Sequence, residues 1–169
     1  MKILKLISRK ADSLIELTGK FSSLLVYFLI LIITISVILR YFFSMGYVWL
    51  QDLYIWLHAS IILLGVSFTL KHNGHVRIDL VYRNASNRYK KIINLFGYIF
   101  LTLPLCILLV DTSYDYFYRS YLLSESSKET GGLPAIYILK FLIFFMGITL
   151  IIQVINNIYK IVKGENGNS

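Results

Sequence analysis

Formal charge is missing from four long runs of this 169-residue chain, 21–39, 53–70, 92–110 and 141–159. Each run is about as long as a bilayer is thick, because ~20 apolar residues rising ~1.5 Å apiece cross a ~30 Å hydrocarbon core. A hydrophobic content of 57% and a mean hydropathy of +0.68 leave too little polar surface to coat a soluble globule. Cysteine is nearly absent: Cys106 alone, inside the third run, excludes an intrachain disulfide, a CxxC redox pair and a cysteine metal cluster. Histidine is scarce too. Only His58 falls within a run, whereas a haem held by two histidines needs an opposed pair at similar depth. His58, Gly65 and His72 recur at seven-residue intervals and share one helix face, but ligands two or four turns apart cannot hold one metal ion. The nine acidic residues lie at edges, loops or termini in the sequence, so the chain offers no mid-membrane carboxylate for ion coupling. Of two prolines, Pro104 interrupts the third run and is expected to loosen or kink that helix.

Helices that satisfy their own backbone suit runs of this length. The sequence therefore predicts an all-α integral membrane protein, one domain over 1–169, with transmembrane helices at about 21–43, 50–71, 91–112 and 134–160. The first run follows a basic stretch but exceeds a signal-peptide core and ends in Arg40, Tyr41, Phe42 and Phe43 without a small-residue cleavage site, so it reads as a retained helix. Thirteen lysines and arginines flank the runs on one side of the membrane and four on the other. The positive-inside rule then puts both termini and the loop between helices two and three in the cytoplasm. The +8 net charge thus reports topology and does not point to nucleic acid. Residues 1–20 alternate Ile3, Leu4, Leu6, Ile7, Leu14, Ile15 and Leu17 with Lys2, Lys5, Arg9, Lys10, Asp12 and Glu16. Such spacing fits an amphipathic helix in the inner headgroup layer; a loosely ordered basic tail is the alternative.

The short connection at 44–51 makes helices one and two antiparallel neighbours. Arg40 and Asp52 flank it, either as a pair or as two separate headgroup-level charges. Tyr41, Phe42, Phe43, Tyr47, Trp49, Tyr54 and Trp56, with Tyr114, Tyr116, Tyr118 and Tyr121, form an outer aromatic belt. Asp111, Asp115 and Arg119 share a face of helix three, and Asp115 is spaced to pair with Arg119. His58 is expected to donate a hydrogen bond across a helix interface or to sit among Tyr54 and Trp56.

Together, Arg40-Tyr41-Phe42, Trp49-Leu50-Gln51-Asp52, Leu64-Gly65 and the run from Leu70 through His75-Val76-Arg77-Ile78-Asp79 resemble the small membrane (Q) subunit of tripartite ATP-independent periplasmic (TRAP) transporters. Ser124-Glu125-Ser126, Gly131-Gly132-Leu133-Pro134, Lys140, Gly147 and Gln153 are similar to the branch labelled for mannitol or chloroaromatic compounds. The resemblance covers 22–153. One departure is that Gln51 and Asp52 stand where the family commonly has two adjacent glutamates, so a single carboxylate remains.

The resemblance implies a division of labour in the cytoplasmic (inner) membrane. A periplasmic binding protein captures a carboxylate-type solute, a large membrane subunit moves it with a sodium or proton gradient, and the small subunit anchors the large one among the lipids. It implies no cofactor and no catalysis. Arg40, Trp49, Gln51, Asp52, His58, Gly65, His75, Arg77, Asp79, Ser126, Gly131, Gly132, Pro134 and Lys140 become candidate structural or subunit-interface residues. Two other classes fit a small four-helix protein: a quinone or haem anchor for a redox enzyme, and a stand-alone pore or lipid-interacting adaptor.

Overall fold

A computed structural model describes residues 2–75 and 86–164. Every regular element among them is helical, and four are long and apolar enough to span a membrane: α1 (Lys2–Phe42), α2 (Val48–Lys71), α3 (Asn87–Leu122) and α4 (Tyr137–Lys163). The segment before the first crossing is not a separate element. Helix α1 runs unbroken for 41 residues, roughly 60 Å at ~1.5 Å per residue, about twice the hydrocarbon thickness.

The helices form an open array with α4 at its centre. Helix α1 packs on α2, α2 on α4 and α4 on α3, while α1 also touches α4. Apolar side chains such as Tyr27, Ile30, Leu31, Phe100, Leu105 and Leu108 point outward. Small and hydroxyl-bearing ones point inward, Ser22, Ser67, Ser113 and Thr149 among them. Lipid tails are as apolar as leucine, so burying leucine gains little here, and close approach with local hydrogen bonds holds the helices instead. Ser22 Oγ donates to the Ile61 carbonyl at 2.8 Å, joining α1 to α2. Ser67 Oγ donates to Thr149 Oγ1 at 2.8 Å, joining α2 to α4.

Aromatic pairs fix how α3 and α4 lie antiparallel. Ring centroids of Tyr121 and Tyr137 are 5.5 Å apart, those of Phe117 and Phe141 5.3 Å, and those of Tyr114 and Phe144 5.5 Å. Gly147 then faces Leu109 and Val110 so closely that a side chain there would strike both. Pro104 is accommodated by a widened turn: Gly97–Thr102 is π-helical, and the Leu103 N–H reaches back five residues to Tyr98 O. The missing proline N–H is thereby absorbed into one loosened turn of a continuous helix.

Candidate functional site

Two polar clusters lie at opposite ends of the array. The first caps the end expected outside, where residues 123–136 link α3 to α4. Helix α3 ends with the Glu125 N–H bonded to Ser120 O at 3.1 Å, which turns the Glu125 side chain back over the helix. Its carboxylate accepts from Ser120 Oγ at 2.5 Å and from Lys140 Nζ at 2.5 Å. Lys140 is only 8% exposed and its ammonium also lies 4.0 Å from the centre of the Tyr116 ring, a cation–π contact. The Lys140 hydrogen bond first, and that of Ser120 second, hold the Glu125 carboxyl below the usual glutamate range.

The rest of this connection folds onto α2. Ser127 N–H donates to Leu133 O at 2.9 Å, Gly132 N–H to Glu129 O at 3.0 Å and Ile136 N–H to Glu125 O at 3.0 Å. The free Leu133 N–H then reaches Asp52 Oδ2 at 2.9 Å. Both glycines are required for this turn. Gly131 has φ +80°, a left-handed conformation costly for any residue with a Cβ. Gly132 passes so near the Asp52 carboxylate and the Ser127 side chain that a methyl group would collide with both.

Asp52 therefore bonds the second outer connection and does not pair with Arg40. Among the described residues the ion pairs are Lys71–Glu16, His72–Glu16, Lys140–Glu125 and Lys160–Asp12. The reason is rotational. Asp52 precedes Gly65, which faces Ser22 of α1, by thirteen residues, about 140° round the helix; it points away from the helix that carries Arg40. Arg40 instead lines an open cleft over the 43–47 connection with Ser44, Tyr47, Gln51 and Tyr54. The expected Asp115–Arg119 pair is likewise absent from those ion pairs, and both side chains are exposed.

The second cluster knots the opposite end. Asp12 on α1 accepts from Lys160 Nζ with both carboxylate oxygens at 2.8 Å and from Asn156 Nδ2 at 2.9 Å. Ser8 Oγ donates to Asn156 Oδ1 at 2.6 Å. One face of the N-terminal segment is thus held against α4, with Ile15 wholly buried. Lys71, at the end of α2, donates to Glu16 at 2.7 Å and to Asp12 O at 2.9 Å, and the His72 ring meets Glu16 at 2.8 Å. Gln153, wholly buried on α4, donates to Asn157 Oδ1 at 2.7 Å, and Asn157 reaches the Tyr98 hydroxyl at 3.2 Å.

The fourteen candidates fall into separate places. Asp52, Gly131, Gly132, Pro134 and Lys140 meet in the outer cap, and Ser126 is exposed on it. Trp49 and Gln51 sit exposed at the start of α2. Gly65 faces Ser22 of α1. His58 lies exposed on α2 and makes no hydrogen bond across a helix interface, although it shares a helix face with Gly65, which meets α1. His75 is exposed just beyond α2, and Arg77 and Asp79 lie outside the described residues. Sequence reasoning overlooked Asp12, Glu16, Asn156 and Lys160, whose partners are up to 148 positions away. Their one signal was a set of polar residues on the inward face of an otherwise apolar pattern.

The chain matches the model of the family described as tripartite ATP-independent periplasmic transporters, DctQ component, over residues 29–164. It is also similar to the C4-dicarboxylate TRAP transporter small permease protein DctQ of Vibrio cholerae serotype O1, 28% identical over 107 residues. That stretch is 63% of this chain and 45% of the relative, so the chain spans less than half of the relative's length.

Proposed function

This chain belongs to the DctQ component family of tripartite ATP-independent periplasmic transporters, and from that premise we propose that it is the small permease subunit of such a transporter. It is a multi-pass protein of the cytoplasmic (inner) membrane. Its role is to anchor and complete a large translocating subunit, with a periplasmic binding protein delivering the solute to the assembled complex. Both termini and the loop after α2 face the cytoplasm on this reading, and lipid covers the apolar flanks. A carboxylate-bearing solute is the substrate class, supported by the C4-dicarboxylate named for the Vibrio relative.

One observation carries the scaffold role. Two hydroxyls inside the crossings join helix to helix, Ser22 to Ile61 and Ser67 to Thr149, others such as Ser60 and Thr112 bond back to their own helix, and polar clusters tie helix ends together. That chemistry builds a frame; it does not line a path for a solute. Among the described residues His58 meets no second histidine, which a bis-histidine haem anchor would need.

The test is uptake. Cells carrying the binding protein and large subunit from the same transporter are assayed for labelled succinate uptake with and without this chain, and the large subunit is purified through a tag. Uptake lost on deletion, with this chain copurifying when present, supports the reading. Undiminished uptake without it, or no copurification, overturns it.

A further inference from the structure

The packing contacts fix which residues of the four helices share a level. Gly19 of α1 meets Phe68 of α2, Ser67 of α2 bonds Thr149 of α4, and Gly147 of α4 meets Leu109 and Val110 of α3. The same α3–α4 offset recurs at Phe117–Phe141 and Tyr114–Phe144. Lys20, Ser67, Thr149 and Leu109 therefore lie level. Lys20 closes the charge-free run of α1 on the inner side, whereas Asp111, two residues past Leu109, closes that of α3 on the outer side. Both are exposed. A bilayer perpendicular to the helices would find only ~3 Å free of charge between them, against the ~30 Å of a hydrocarbon core.

The other helix ends form a stair. Outward from the shared level, the first charge is Arg40 on α1, Asp52 on α2, Lys140 on α4 and Asp111 on α3, at roughly 30, 22, 14 and 3 Å. Inward, the bounding charge is Lys20, Lys71, Lys160 and Lys91 in the same order, at roughly 0, 6, 16 and 27 Å. That order is the packing order, α1 on α2, α2 on α4 and α4 on α3. Each pair of bounding charges is 19 or 20 residues apart, and each is displaced from its neighbour's in one direction. The remaining charges obey the stair: Glu16 and Asp12 lie inward of Lys20, and Asp115 and Arg119 outward of Asp111. Tyr41, Trp49 and Tyr114, exposed on three different helices, each fall within a turn of the outer steps, where interfacial aromatics belong.

We propose that the array crosses the bilayer obliquely, embedded in phospholipid acyl chains along a belt that slants from Lys20–Arg40 on α1 to Lys91–Asp111 on α3. The outer edge drops ~27 Å across three interhelix spacings of ~9 Å, so the helices lean by roughly 45°. Exposed side chains inside the belt suit acyl chains: Ile30 and Leu31 on α1, Phe100, Leu101 and Leu105 on α3. Such a lean exceeds the ~20° average of membrane helices, and along the membrane normal the belt is only about 21 Å thick. The bounding lysines and Arg40 therefore snorkel outward, and the bilayer thins around the array. Lys20 and Asp111 then lie at opposite membrane surfaces although they share a level along the helices. This inference rests on membrane insertion alone and does not depend on the permease reading.

Depth measurements on the full chain test it. In a Cys106→Ala background, single nitroxide-labelled cysteines are placed by Phe21→Cys, Ile30→Cys, Phe100→Cys or Leu108→Cys, all exposed positions, and the protein is reconstituted in phosphatidylethanolamine–phosphatidylglycerol vesicles. Relaxation by oxygen against a water-soluble nickel chelate reads each depth. The labels at Ile30 and Phe100, near the middle of the slanted belt, should be the deepest and alike, roughly 7–10 Å deeper than those at Phe21 and Leu108. An upright array reverses that order, because Phe21 and Leu108 flank the shared level while Ile30 and Phe100 lie roughly 14 Å to either side of it. A deeper label at Phe21 or Leu108, or four equal depths, overturns the proposal. Polarised infrared dichroism of the wild-type chain in oriented bilayers gives the mean lean without any substitution: roughly 45° is expected, and a value below about 25° overturns the proposal.

Discussion

Gly132 is the residue on which the outer cap turns. A methyl group there meets the Asp52 carboxylate and the Ser127 side chain, so Gly132→Ala is expected to destabilise the cap by about 1–3 kcal/mol through overpacking. Gly131→Ala acts differently, by forcing a Cβ into φ +80°, and should cost about 1 kcal/mol. Asp52→Asn keeps an acceptor for the Leu133 N–H and should be nearly silent, whereas Asp52→Ala strands that donor at about 1–3 kcal/mol. Trypsin cleavage at the exposed Lys128 in detergent-purified protein reads all four: faster cutting for the alanine variants, wild-type rate for Asp52→Asn. Equal rates throughout would mean that the Asp52 bond does not hold the connection closed.

At the same scale, Glu125 makes the cap sensitive to acid. Its pKa is lowered on folding, chiefly by Lys140, so its contribution is fully present above the ordinary glutamate value of 4.5 and disappears as pH falls through the lowered folded value. Thermal stability of wild type should exceed that of Glu125→Gln at neutral pH, and the two should converge as the pH falls below 4.5. A constant gap across that range would assign the difference to shape and not to charge.

Among the elements, α1 departs most from its sequence pattern. The alternation of apolar and charged residues before the first crossing is compatible with a helix lying flat in the headgroup layer. It does not reveal that Ser8, Asp12 and Ile15 form an inward stripe continuous with Ser22. That stripe is specified by Asn156 and Lys160 on α4, and pairings across the whole chain leave no periodicity to read. Asp12→Ala removes the acceptor for both and should free the segment, costing about 1–2 kcal/mol because Asp12 and Lys160 are each about a quarter exposed. Faster proteolysis at Arg9 and Lys10, with the crossings intact, is the expected result; unchanged protection would show Ile15 packing to be sufficient.

Helix existence, by contrast, was legible, because a charge-free run of bilayer length has one backbone solution. The double glycine before Pro134 was legible as a motif, but its two separate physical causes were not. Counting from the end of an apolar run places a residue relative to its own helix, whereas the bilayer acts on the packed array, and the α3–α4 offset is set by side chains such as Phe117 and Phe141.

For the whole molecule, orientation is the property on which the proposed role depends. The outer cap must face the side from which a binding protein delivers solute, and the basic loop after α2 must face anionic lipid and the cytoplasm. The thirteen-to-four distribution of lysine and arginine supports that assignment, and the knot of Asp12, Glu16, Lys71 and Lys160 keeps four of the charged residues together at one end. Single cysteines at Asn84 and at Ser126, in a Cys106→Ala background, test it with an impermeant thiol reagent on intact cells. Ser126 is exposed on the cap and should label without permeabilisation, while Asn84 should label only after it. Cys106 is buried on α3, and its replacement by the smaller alanine should leave the array assembled, as monodisperse elution in detergent would confirm. Labelling at Asn84 but not at Ser126 in intact cells would invert the molecule, put the cap in the cytoplasm, and end its candidacy as the surface nearest the binding protein.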